Sequence, residues 1–460
     1  MSLTKAHNRM IAGSTVSPFD YGAVGDGVTD DSAAFNAAFL NGNKTIYVPE
    51  GTYLFDSYVR VYANTTVVHS PGAEMVVNIG NNRLYVNGPI DGSDYASGWL
   101  GDGSLSFEGG QYSCKASTRT ANQVSYFKIG HARNVNIRDM KFKENWNGHY
   151  IELNAVQNGS VRDCVFLGQV IDAQTGRDAI NIDRADASSF PEFGAFDNTT
   201  CDNITIDGCL FDGIQTMGTH NATGGHTNIN ISNNTFRNVT GQGAVLGSGW
   251  TGGRIVGNRF TTLVSKAIEL DTCTSILVQG NYIEDVVTGG GTHAIQLDTC
   301  NYCNVSDNTV LNTGTSDYDY GYRSFNTTYT NVFNTVGVLA GNTGVIDADD
   351  KDMIDGSFRL NINADAAKTV IPPYDNQGFV RFVTRSGTNS TVQGQYFYRT
   401  AAEEMELIAT RTGSTEETGT GVLTGTTGTS GKMTVSCATD GLIYVENRTG
   451  SSKTVWVTFN

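Results

Sequence analysis

The 460-residue sequence predicts an all-β protein: a right-handed parallel β-helix with a short N-terminal capping helix and a C-terminal β-sandwich. Three observations carry that expectation. Alternating apolar residues that end in a turn recur at NVNIRDMKF (134–142), GSVRDCVF (159–166), NITIDGCLF (203–211), NINISNNTF (228–236), GRIVGNRF (253–260), SILVQGNYI (275–283) and CNVSDNTV (303–310). Glycine outnumbers proline 54 to 7 in a chain crowded with Asn and Thr, which favours strands and tight turns over helices. From about residue 356 the pattern changes to longer alternating runs, FRLNIN, GFVRFVTR, GQYFYRT, EMELIAT, KMTVSC, LIYVEN and TVWVTF, which read as seven antiparallel strands.

Residues 1–45 are expected to form a junction and a cap. In FDYGAVGDGVTDDSAAFNAAFLNGNKTIYVPEGTYLF (19–55), Asp30 or Asp31 is placed to N-cap a helix over roughly 31–40, with Ala33, Ala34, Phe35, Ala38 and Phe39 as its apolar stripe. A solenoid has to hide its first open edge, and an amphipathic helix laid over it does so. KTIYVP and GTYLF then read as a hairpin-like pair of strands. The GxxGDG run lacks a preceding strand and a Lys-Ser/Thr ending, so it reads as a turn and not as a phosphate loop.

Residues 46–345 are assigned to the β-helix. The copies close on Phe142, Phe166, Phe211, Phe236, Phe260, Ile283 and Val310, at intervals of 24, 45, 25, 24, 23 and 27 residues. The long interval reads as one coil plus an insertion. A second strand follows in several coils, HYIELN (149–154), DAINID (178–183), KAIELD (266–271) and HAIQLD (293–298). No single coil buries its own apolar face, but stacking on the next does so at a rise of about 4.8 Å. Met140, Cys164, Cys209, Asn234, Asn258, Asn281 and Asn308 then fall at one turn position, where thiols and amides suit an inward ladder. The eight cysteines read as reduced structural thiols. Cys300 and Cys303 form a CxxC with no second half, so no metal or other cofactor is expected. Residues 346–460, entered through the acidic IDADDKDMID, are assigned to the sandwich.

Lys and Arg number 30 against 46 Asp and Glu, a formal net charge of −16. So acidic a chain is a poor partner for nucleic acid or an anionic membrane.

FDYGAVGDGVTDDSAAFNAAF followed by IYVPEGTYLF closely resembles the N-terminal signature of the pectate-lyase-like β-helix superfamily, and within it bacteriophage tailspikes and depolymerases. The opening LTKAHNRMIAGSTVSPFDYGAVGDG is similar to the junction in tailspikes where a head-binding part meets the β-helix. The coil repeat extends the likeness to about residue 345. The resemblance implies a homotrimer at a virion tail, acting outside the bacterial cell, that binds and cleaves a bacterial surface polysaccharide (capsule, exopolysaccharide or O-antigen). It also implies a C-terminal β-domain that locks the trimer or binds sugar. With no particle-binding domain ahead of the signature, the expectation is either a shortened chain or one attached through other phage tail proteins.

Outward side chains on successive coils lie about 4.8 Å apart, so carboxylates one or two coils apart span the separations glycosidases use, about 5–5.5 Å for retention and 6.5–9.5 Å for inversion. Aligning the second strands gives an outward column Glu152, Asn181, Glu269, Gln296 and, two positions on, Asn154, Asp183, Asp271, Asp298. Glu152, Asp178 and Asp183 are the candidate catalytic residues, on neighbouring coils of one face. The insertion RADASSFPEFGAFDNTTCDN follows directly, with Phe190, Phe193 and Phe196 suited to wall a site. Trp146, His149, Tyr150, Arg184, Trp250 and Glu269 are the candidate substrate-binding residues, whereas Asp271 and Asp298 read as turn residues. Three functions compete. A hydrolase would use Glu152 with Asp178 or Asp183 as acid and base, and is favoured because the columns hold more acids than bases. A lyase would draw on His149, Lys266, His293 or Arg184. A binding fibre would have no turnover.

Overall fold

The computed structural model describes residues 15–459 except 80–81, 89–96, 115–123, 170–176, 188–195, 220–223, 287–292, 313–319, 328–329, 334–335, 340–343, 348–352, 355–356, 371–376, 385–392 and 411–415. The chain divides into two compact units, one reaching Ser324 and taking in Thr335–Asp347, the other made of Phe325–Asn334 and Ala348–Asn460.

The first unit is a parallel β-helix with three faces. Face one holds Asn82–Val86, the first halves of Val124–Arg138 and Ile151–Arg162, then Asp178–Asp183, Thr216–Gly218, Gly243–Ser248, Lys266–Asp271 and His293–Asp298. Face two runs from Lys44–Val48 through the second halves of the same long strands to Asn304–Ser306. Face three is a twelve-stranded parallel sheet from Asp26–Asp30 to Val336–Leu339 among the described residues. Each face turns its alternate apolar residues inward, as period-2 patterning requires. On face three, Phe142, Phe166, Phe211, Phe236 and Phe260 form one buried stack, with ring centroids 4.9, 4.7, 4.6 and 4.9 Å apart. Phe166 and Phe211 are register partners, so the 45-residue interval is a single coil carrying an insertion.

The corners explain the composition. One corner sets Asn134, Asn158, Asn203, Asn228 and Gly252 at positive φ; the next sets Asp139, Asp163, Gly208, Asn233 and Gly257 there. Asn, Asp and Gly are the residues that enter the left-handed region at least cost, and every coil needs two such positions. At the second corner the ladder follows. The Cys209 backbone N–H donates to Asn234 Oδ1 at 2.9 Å, and the Asn234, Asn258 and Asn281 N–H groups donate to the next Asn Oδ1 at 3.0 Å each. Asn258→Ala is expected to cost on the order of 1–3 kcal/mol, because it strands the Asn234 N–H and the Ile231 carbonyl in a dry interior. Urea unfolding of the two chains measures it.

Another corner column reads Cys201, His226, Trp250, Cys273, Cys300. The Cys201 N–H donates to His226 Nδ1 at 3.0 Å, and the Trp250 and Cys273 N–H groups donate to the Sγ of the next cysteine, Cys273 and Cys300, at 3.4 Å. All eight cysteines are buried free thiols.

The N-terminal segment departs from expectation in three details. The helix is Ser32–Phe39 and buries Ala34, Phe35, Ala38 and Phe39, whereas Ala33 faces outward. Asp31 holds the N-cap position with no side-chain bond to the helix; its carboxylate accepts the Val24 and Gly25 N–H groups at 2.6 and 3.3 Å, and Asp30 accepts the Ser32 N–H instead. Lys44–Val48 and Gly51–Phe55 are not a hairpin. The first pairs in parallel with Thr65–His69 and the second with Ala73–Val77, so they belong to two different faces.

The second unit has two sheets. Ser357–Ile362, Lys453–Phe459, Gln377–Thr384, Gln393–Arg399 and Glu404–Thr410 form one antiparallel sheet. Ala366–Val370, Ile443–Asn447, Met433–Cys437 and Glu416–Thr418 form the other, so two short strands join the seven expected. Val380, Phe382, Tyr396, Val455 and Val457 of the first pack with Val370, Met433, Val435, Ile443 and Val445 of the second in one core. Strand Gly344–Asp347 reaches into the acidic IDADDKDMID (346–355), and strand Met353–Ile354 lies inside it.

Candidate active site

Face one carries every candidate carboxylate. Glu152 points out of the coil yet is only 4% exposed. Its Oε2 lies 3.0 Å from Lys128 Nζ on the preceding coil, and its Oε1 accepts the Ser125 hydroxyl at 2.6 Å and lies 3.9 Å from Arg83 Nε. Burial alone would raise this carboxyl, but Lys128, His149, Arg83 and Ser125 outweigh it and hold it below the usual carboxylate range. Burial drives the imidazole of His149 down to about 4, so at neutral pH Lys128 and Arg83 carry that effect. The Asp178 carbonyl accepts from His149 Nδ1 at 2.7 Å, which places the proton there and leaves Nε2 as the basic nitrogen.

Asp178 is the opposite case. It is 1% exposed, and its Oδ1 has no hydrogen-bond partner. Burial, reinforced by the Asp183 carboxylate, pushes its acid well above the ordinary value, against a smaller pull from Arg177. The surroundings therefore push two carboxyls on adjacent coils in opposite directions, Glu152 toward the ionised form and Asp178 toward the protonated one. Asp183 is half-buried at the far end of the same strand and accepts the Arg184 N–H at 2.8 Å. Thr216 Oγ1, in register with Asp178, and both amide atoms of Asn154, in register with Asp183, are also buried without partners.

The remaining expected residues divide. Arg184 is half-buried and pairs with Asp186 at 2.8 Å, and Trp146 is half-buried. Tyr150 and Trp250 are corrections: both are wholly buried and cannot stack on a surface sugar. Tyr150 packs against Tyr126, Phe142 and Phe166, and its hydroxyl donates to the Leu167 carbonyl. Trp250 Nε1 donates to Thr219 Oγ1 at 2.9 Å inside the coil. Phe190 and Phe193 lie outside the described residues; Phe196 is exposed.

Glu269 also moves. The alignment set it beside Asn181, but the register runs Asn181, Gly218, Leu246, Glu269. The short strands Thr216–Gly218 and Gly243–Ser248 occupy the coils between, three rungs in all. Sequence reasoning missed Arg83, Ser125, Lys128 and Arg177, which balance the acids. The signal for Lys128 was available, because YFKI repeats the apolar-x-apolar form of the aligned strands.

Around Glu269 the face dips into a depression of about 240 Å³, lined among others by Thr219, Gln242, Ser248, Glu269, Asp271 and Asp298. Glu269 pairs with Lys266 at 2.8 Å.

The family described as Rhamnogalacturonase A/epimerase, pectate lyase-like, matches residues 16–268. The chain is 30% identical over 279 residues to the plasmin and fibronectin-binding protein A of Streptococcus pneumoniae, covering 52% of this chain and 38% of that protein. It is 26% identical over 238 residues to the pre-neck appendage protein of Bacillus phage B103, covering 49% and 26%. The chain thus spans well under half the length of these relatives. The crystal structure of PfbA, a surface adhesin of Streptococcus pneumoniae, superposes with a TM-score of 0.56 at 20% identity, covering 87% of this chain and 99% of that one, and so shares its fold.

Proposed function

This chain belongs to the rhamnogalacturonase A/epimerase, pectate lyase-like family, a right-handed β-helix family, and from that premise we propose that it binds and depolymerises a bacterial surface polysaccharide by glycosidic hydrolysis. The observation that carries the reading is the pair of buried carboxyls on adjacent coils, Glu152 beside Lys128 and Asp178 without a partner at Oδ1, whose surroundings push them toward opposite protonation states. Carboxyls whose surroundings drive them apart are the arrangement acid–base hydrolysis needs. Asp178 is the proton donor to the leaving oxygen. Glu152 is the fixed negative charge beside the developing cationic sugar, and Asp183 is the carboxylate that activates water. The unpartnered atoms of Asn154, Asp178 and Thr216 are suited to sugar hydroxyls. The phage appendage relative supports placement on a virion; a homotrimeric tailspike acting outside the cell is the form proposed for it.

The test is incubation of the chain with purified capsule and O-antigen from a panel of hosts. Chain shortening with new reducing ends, and without an ultraviolet-absorbing unsaturated product, is the expected result; the unsaturated product would mark β-elimination with His149 as base. A rate that declines as pH rises, once Asp178 loses its proton, is expected on the alkaline limb.

The adhesin relative favours a second reading, binding without turnover. Retention on the polymer with no loss of polymer size would establish it.

A further inference from the structure

The depression at Ser248, Asp271 and Asp298 is set apart from the Asp178 cluster along the same face, with Ser248 two coils and Asp271 three coils beyond Asp183's strand. We propose that it is a second glycan subsite, selective for an uncharged sugar residue; the proposal rests on the polysaccharide-binding reading above. Ser248, Asp271 and Asp298 are successive register partners in one column. Each aspartate engages one oxygen, Oδ1, with the hydroxyl of the threonine that follows it, Thr272 or Thr299, at 2.9 Å.

The observation that points to an occupant is Ser248. It is 5% exposed, it lines the depression, and its hydroxyl has no hydrogen-bond partner. Buried polar atoms are nearly always paired, so a lone hydroxyl in the wall of a depression is completed by what enters it. The floor beneath is fixed, because Thr219 Oγ1 accepts Trp250 Nε1 and donates to the Ile182 carbonyl at 2.8 Å.

The chemistry selects the ligand. Two carboxylates one rung apart, about 4.8 Å, match two neighbouring hydroxyls of a pyranose as donors, and Ser248 adds a donor for a third oxygen. Glu269 is neutralised by Lys266, but neither Asp271 nor Asp298 forms an ion pair among the described residues. The depression is therefore negative and repels a uronate, unlike the cluster around Glu152, where Arg83 and Lys128 stand. Among the described residues, no three His, Cys, Asp or Glu side chains gather as a cation site would require.

Methyl glycosides of glucose, galactose, mannose and rhamnose, and methyl glucuronide, offered to the full chain at millimolar concentration in saturation-transfer NMR, test the proposal. At least one neutral glycoside is expected to bind, at least tenfold more weakly to the Asp271→Asn/Asp298→Asn variant and measurably more weakly to Ser248→Ala, with glucuronide not binding at this site. Thermal melting matched to the parent chain confirms that each variant folds, and Ser248→Ala stands as the milder probe should the double variant fail. No neutral-glycoside signal that depends on these residues overturns the proposal. Equal binding of glucuronide, or binding that requires added calcium, overturns it as well. Cleavage of polymer is read separately, so a failure of the Asp178 reading and a failure of the subsite are distinguishable.

Discussion

Asparagine in place of Asp178 is expected to lower polymer cleavage by about 10²–10⁴-fold, the contribution of a positioned general acid, while leaving polymer binding intact. The same substitution is expected to raise thermal stability at neutral pH. Burial lifts the Asp178 acid above its unfolded value, so the folded chain holds this proton more tightly than the unfolded chain does. The stabilisation is complete below the unfolded carboxyl's pKa and is lost as pH rises toward the folded one. Asparagine has no proton to retain, so its advantage in Tm appears at neutral pH and shrinks toward pH 4. Melting curves at the two pH values, beside turnover measurements, check both halves. A variant that loses activity but melts lower than the parent at every pH would make Asp178 a structural residue and nothing more.

Glu152→Gln is expected to destabilise the first unit by about 3–5 kcal/mol, because it leaves the Lys128 ammonium buried with no opposing charge. The pH sense is the reverse of that at Asp178. The Glu152 carboxyl is depressed in the folded chain, so its stabilisation is present above the unfolded value and disappears as pH falls through the acid range. Lys128→Met combined with Glu152→Leu removes both charges and is expected to recover most of the loss. Guanidinium unfolding of the parent, the single and the double variant measures the loss and its recovery. Equal losses in the single and the double variant would mean that packing, not the ion pair, sets the cost.

The coil repeat was legible because inward positions in a solenoid are constrained twice, by the core and by the identical position one coil away. Phe166 and Phe211 advertised their pairing across 45 residues for that reason. What misled was the corners. Tyr150 and Ile151 are consecutive and both buried, since a bend in the chain interrupts strict alternation. Trp250 was taken for a surface ring, yet it follows Ser248 as Cys273 follows Asp271 and Cys300 follows Asp298, all in one inward column. LGSGW and ELDTC are the same corner in different residues. The site was partly legible: the acids stood out, but the cations that oppose them lie on coils whose strands had not been aligned. Whether a carboxyl is ionised depends on such neighbours, and sequence alone does not reveal them.

The ladder corners have one more consequence. Successive copies close every 23 to 27 residues except at the single insertion, and those from Cys209 to Asn308 are joined by the same backbone-to-amide bond. Adding or deleting one whole coil between Asp183 and Asp271 would replace each ladder partner with an equivalent one. It would also shift the spacing of the acid cluster from the depression by one step of about 4.8 Å. Fractional steps are forbidden by register. The scaffold is in effect a ruler with fixed graduations, on which variation can tune the reach between two grips only by counting.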